Sequence, residues 1–141
     1  MLMHTGFFYR YVMSKKAYLK YETMNALPKV YYAITSNKKK FKKEMKRLDA
    51  RVEWDDISDG RMWSLTRESA GDLILICAVN RDNIPEKASN GVIYGLLAHE
   101  AVHAWQEILM HIKETQPGNE IEAYHIQAIT SHFIDSFDAG E

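Results

Sequence analysis

Seven apolar residues stand without a break at Leu73–Val79, in the order Leu-Ile-Leu-Ile-Cys-Ala-Val. The run is short and partly β-branched, as a strand is, and falls far below the roughly 20 residues needed to cross a bilayer. A strand with one wet face would alternate apolar and polar positions; this one does not, so it is predicted to be central and buried on both sides. Residues 61–68 do alternate, and Ser69-Ala70-Gly71-Asp72 after them is a turn signal. They are predicted to pair with the apolar strand as a hairpin, and their greater polarity makes them the edge.

The remaining elements follow from period and punctuation. Residues 28–35, with Val30, Tyr31, Tyr32 and Ile34, have strand composition. Ser36 or Asn37 then caps a helix to about Leu48, with Phe41, Met45 and Leu48 on one stripe and lysines around the rest. Residues 7–27 show no clear period and are predicted as an ill-defined helix. Residues 80–88, with Pro85, form a loop. From 91 to about 115 the apolar residues Val92, Ile93, Leu96, Leu97, Val102, Trp105, Ile108, Leu109 and Ile112 recur at helical spacing, after a cap at Ser89 or Asn90. A tight four-residue connection through Gln116-Pro117-Gly118 then leads back into a helix from Asn119 to about Phe137. The predicted fold class is α+β: a small, mostly antiparallel sheet packed on the last two helices, as one domain over residues 1–141. Met3 and Met13 are alternative starts, so residues 1–12 are allowed to lie outside the folded unit.

The first of those two helices carries His99, Glu100 and His103 in an H-E-x-x-H pattern. Residues four apart on a helix share a face with Cβ atoms roughly 5 to 6 Å apart, which lets two imidazoles bind one small cation. Glu100, one position on, reaches the water such a cation activates without becoming a ligand, so it is the candidate catalytic base. A catalytic zinc ion needs a third protein ligand and keeps one position open. The next helix offers Glu120 and Glu122. Asn119 and Glu122 have the spacing of a capping box, which gives Glu122 a structural task and leaves Glu120 as the preferred ligand; against this, Glu122 shares a face with Ile126, Ile129 and Phe133.

The stretches His-Glu-Ala-Val-His-Ala-Trp-Gln (99–106) and Glu-Ile-Glu-Ala-Tyr-His-Ile-Gln (120–127) resemble the small zinc metallopeptidases of bacteriophage and prophage genomes, of the HExxH…E, gluzincin-like type. The resemblance spans about residues 61–135. It implies a zincin-like minimal domain, one Zn2+ held by His99, His103 and Glu120, and hydrolysis of a peptide or protein substrate. It also implies a bacterial cytoplasm, in an infected or lysogenic host, and substrate binding as an added strand on a sheet edge, for which residues 61–68 are the better candidate. Where the wider families carry Asp or Asn four residues after the ligand Glu, this chain has Tyr124.

Simpler readings stand beside these. Trp105 is expected to pack in the core; Tyr124 is expected merely to pack, unless it hydrogen-bonds a ligand or steadies a developing oxyanion. Cys77 reads as a small hydrophobe, and one cysteine excludes an internal disulfide. His111, His125 and His132 are assigned no role. Net charge is −1 with a pI of about 6.6, so no global field favours nucleic acid or membrane. The N-terminus lacks the pattern of a secretory signal. The lysine-rich helix from 38 to 47 invites a nucleic-acid reading, but no aromatic platform accompanies it in the local sequence; nucleic acid is therefore not expected as a partner. Two alternatives to the enzyme remain: a non-catalytic phage binding or assembly module with structural zinc, and a basic nucleic-acid adaptor.

Overall fold

The computed structural model describes residues 16–24, 29–66 and 71–141. The expected helix over 7–27 lies partly outside these; within them, the chain forms a short strand, β1 (Glu22–Met24), instead. It is followed by β2 (Val30–Thr35), α1 (Lys38–Arg47), β3 (Gly60–Thr66), β4 (Leu73–Val79), a single 3-10 turn at Arg81–Asn83, α2 (Asn90–Ile112) and α3 (Asn119–Asp138). The fold is α+β, with a four-stranded mixed sheet and three helices among the described residues.

Sheet order is β1-β2-β4-β3. The β3–β4 hairpin is antiparallel, with Gly60 opposite Val79 and Thr66 opposite Leu73, and β1–β2 is antiparallel too. Between them β2 and β4 run parallel, Val30 beside Leu73 and Thr35 beside Ala78. The expected positions of β3 and β4 hold: β3 is an edge and β4 is buried along its whole length.

Side chains of the two central strands divide by strict alternation. Val30, Tyr32 and Ile34, with Leu73, Leu75, Cys77 and Val79, meet Leu97, Ala101, Ala104 and Ile108 of α2 and Ile129 and Phe133 of α3. Tyr31 and Ala33, with Ile74, Ile76 and Ala78, meet Phe41 and Met45 of α1 and Leu19 and Tyr21 from the segment before β1. The sheet is therefore sandwiched, with α2 and α3 on one face and α1 on the other. Two-sided cover is what an unbroken apolar strand requires, since each fully buried Leu or Ile contributes about 1.5 to 3 kcal/mol relative to exposure.

Helix ends are set by local chemistry. Asn37 caps α1 by accepting from the backbone N–H of Lys40 at 3.0 Å. Ser89 caps α2 at Val92, and α2 stops at Ile112 because Lys113 turns into the left-handed region at φ 58°. The stop is three residues earlier than the period suggests, so six residues, 113–118, join the helices rather than four. No helix among the described residues is long and apolar enough to cross a membrane.

Candidate metal and hydrolytic site

On α2 the sheet-facing stripe is Leu97, Ala101, Ala104 and Ile108. His99 and His103 stand on the opposite, exposed side of the helix. Their Nε2 atoms are 3.0 Å apart, with the rings edge to face at 4.6 Å. The Nδ1 of His103 lies 3.0 Å from Oε1 of Gln106. An amide oxygen only accepts, so Nδ1 donates to it, which leaves Nε2 of His103 as an acceptor facing His99 Nε2. Two nitrogens at about 2.0 to 2.1 Å from a tetrahedral zinc ion are roughly 3.3 Å apart, so the pair fits two positions of such an ion after a shift of a few tenths of an ångström. Gln106 is the outer partner that orients the ring.

Glu100 is 4% exposed, not the solvated glutamate its position in a helix would ordinarily make it. It points toward the start of β3, where Gly60 leaves room: a Cβ on Gly60 would stand 3.3 Å from its Oε1. Oε2 is buried and has no hydrogen-bond partner among the described residues. Burial raises the carboxyl above its ordinary value, while the imidazoles of His103 and His99 pull it down. The Glu100 charge adds to burial in pushing up the thiol of Cys77, which lies fully buried in the core. Sequence reasoning missed Gly60, although a glycine opening an alternating strand is a sign of close approach by another group.

The capping box expected at Asn119 and Glu122 does not form. Gly118 is the N-cap, so the third helical position, from which a carboxylate reaches back to the cap, is Ile121. Glu122 instead accepts from the indole N–H of Trp105 at 2.8 Å. Trp105 is core, as expected, 3% exposed and stacked on His125 at 4.9 Å. Glu120 is exposed in the first turn. Among the described residues no group of three or more His, Cys, Asp or Glu converges as for a metal ion, so the imidazoles meet each other but neither Glu120 nor Glu122 joins them.

Tyr124 is 65% exposed and lines a depression of about 260 Å3 with Thr23, Met24, Tyr32 and Ile129. The three histidines without an assigned role each meet a backbone carbonyl: His125 that of Ile121 one turn earlier, and His111 and His132 those of the distant Gly71 and Lys20. Edge strand β3 packs beside α2, which places an open row of backbone donors and acceptors near Glu100.

Comparison of the chain with protein-family models, curated proteins and solved structures gives no match in any of the three.

Proposed function

We propose that this protein is a zinc-dependent metallopeptidase hydrolysing a peptide or similar amide bond. The observation that carries the reading is the pair of imidazole Nε2 atoms 3.0 Å apart on an exposed face, one turn of helix, with a buried and half-unpartnered glutamate between them in sequence. His99 and His103 would hold the ion together with a carboxylate from the first turn of α3. Glu120 is expected on two grounds, a capping box that would engage Glu122 and the family resemblance. With the cap at Gly118 the first ground is gone, and the anchoring of Glu122 to α2 through Trp105 favours Glu122, while the resemblance still favours Glu120.

Zinc bound there supplies a Lewis acid, bringing the pKa of a water from about 9 on the aqueous ion toward about 7 and polarising the carbonyl under attack. Glu100, its carboxyl raised by burial, accepts the proton of the attacking water and returns it to the leaving amine. Gln106 holds the His103 ring in the tautomer that leaves Nε2 free. An extended substrate would align on the open edge of β3, its backbone completing the edge hydrogen bonds. The resemblance to phage and prophage metallopeptidases supports the same activity in a bacterial cytoplasm.

The test is elemental analysis with a peptide-cleavage assay. One zinc per chain is expected, lost in His99→Ala and His103→Ala. Glu100→Gln is expected to keep the zinc and lower hydrolysis by about 100-fold or more. Loss of zinc in Glu122→Ala but not Glu120→Ala identifies the third ligand, and the reverse restores Glu120. Zinc retained with no hydrolysis of any peptide by the wild type would replace the enzyme with a binding module whose metal is structural.

A further inference from the structure

Charge is segregated by the sheet. From Lys38 to Arg51 there are eight Lys and Arg against Glu44 and Asp49, whereas residues 90–141 carry Lys113 alone against eight Asp and Glu. The overall charge of −1 conceals this, because the two groups lie on opposite faces. What the local sequence did not offer beside the lysines was an aromatic surface, and the fold supplies two. Tyr18, from the segment before β1, is 44% exposed with its ring 5.6 Å from Nζ of Lys43. Trp54, from the loop after α1, lies half-buried on the other side of the helix, its ring edge-on to Phe41 at 5.4 Å.

Each ring borders a depression. One, of about 840 Å3, is lined by Lys16, Ala17, Tyr18, Lys43, Lys46 and Arg47, with no acid among the described residues lining it. The second, of about 660 Å3, includes Lys38, Lys42, Lys46, Arg51 and Trp54. Asp49, Glu53 and Asp56 also line the second, and Asp56 is engaged by Lys38 at 3.0 Å. Lys46 belongs to both, so the two depressions meet across the outer face of α1. Lys42, Lys43 and Lys46 make no ion pair among the described residues.

We propose that this face binds single-stranded nucleic acid, with the α1 lysines along the phosphates and bases stacked on Tyr18 and Trp54. Cations in a row with a ring on each side match the alternation of phosphate and base in an unpaired strand. A bilayer surface fits less well, because among the described residues no cluster of exposed apolar side chains lies here to enter it, and the acids around Trp54 would face anionic headgroups without compensation. A duplex hides the base faces the rings would meet. This site is independent of the proposed zinc centre on the far side of the sheet.

Fluorescence anisotropy of the full chain with labelled mixed-sequence oligonucleotides of about 12 residues tests it, in DNA and RNA arms. With about four phosphates neutralised, affinity is expected to fall roughly 50-fold between about 50 and 200 mM salt. Lys42→Gln with Lys46→Gln should reduce the log–log salt slope by about 1.4. Tyr18→Ala, which removes an exposed ring and leaves the core intact, should weaken binding about tenfold without changing the slope. Duplex of equal length should bind more weakly, and the arm that binds tighter names the natural strand. His99→Ala with His103→Ala should leave all of this unchanged, so failure here is distinguishable from failure of the hydrolase reading. No salt-sensitive binding, or binding that ignores both the lysine and the Tyr18 changes, overturns the proposal. So does binding to phosphatidylserine vesicles as tight as to the single strands.

Discussion

The two faces of the sheet are made from alternate residues of the same two strands, yet they are covered by different means. Over one face lie α2 and α3, 23 and 20 residues long, which meet the sheet mainly through apolar side chains, with the carboxylate of Glu100 against Gly60 as the charged exception. Over the other lies α1, ten residues long, which buries Phe41 and Met45 together with the carboxylate of Glu44. Glu44 is fully buried and paired with Arg47; burial first, and then the Glu44 charge, push the nearby Tyr21 hydroxyl well above its ordinary value, with Arg47 pulling the other way. A long helix covers its share of sheet by area. A short one needs ends held by capping and polar anchoring inside, because an isolated ten-residue helix is not stable in water. The difference carries to the surfaces: the long-helix face is acidic and carries the histidine pair, and the short-helix face is basic.

The largest expected effects test whether the two covers contribute equally to stability. Phe133→Ala on the α3 side and Phe41→Ala on the α1 side remove rings that are both fully buried. Each is expected to cost about 3 to 5 kcal/mol in denaturant unfolding. A loss at Phe41 well under that range would show α1 to be an appendage and not half of the fold.

Arg47→Met sharpens the contrast in chemistry. It strands the buried Glu44 carboxylate and should cost about 3 to 5 kcal/mol, while adding Glu44→Leu should restore most of it. If the double substitution is as unstable as the single, the polar anchor is not what holds α1.

Gly60→Ala probes the other face at its candidate site. A methyl group 3.3 Å from Oε1 of Glu100 is expected to cost roughly 1 to 3 kcal/mol and to lower hydrolysis about tenfold or more by displacing the carboxylate. Unchanged zinc content with unchanged hydrolysis would show that Glu100 does not act from this position.

The smallest effect is in pH. Burial depresses the imidazole of His132, edge-on to Tyr32 at 5.3 Å, below its ordinary value. A histidine whose folded pKa is lowered contributes stability present above the unfolded pKa of about 6.5 and lost as pH falls through the folded one. Urea midpoints should therefore drop between about pH 7 and pH 5 by more in the wild type than in His132→Asn. Equal drops would mean that His132 titrates alike folded and unfolded.

What the chain dictates alone is what depends on near neighbours. The two-sided burial of β4, the alternation that puts β3 at the edge, the presence of a cap at residue 36 or 37 and at 89 or 90, and the i, i+4 meeting of His99 with His103 all follow from periods of a few residues. What the tertiary structure decided are the pairings between distant segments. The parallel contact of β2 with β4, the strand at Glu22–Met24, Gly60 under Glu100, Trp105 on Glu122, and Tyr18 and Trp54 on either side of α1 each join side chains or backbones that no local period relates. The cap at Gly118 belongs to the same class, since one residue of shift at a helix start trades a carboxylate between its own backbone and a neighbouring indole, and packing against α2 settles which. Local backbone preferences are decided within a turn or a strand pair, whereas the partner of a buried polar group depends on which surfaces meet when the layers close.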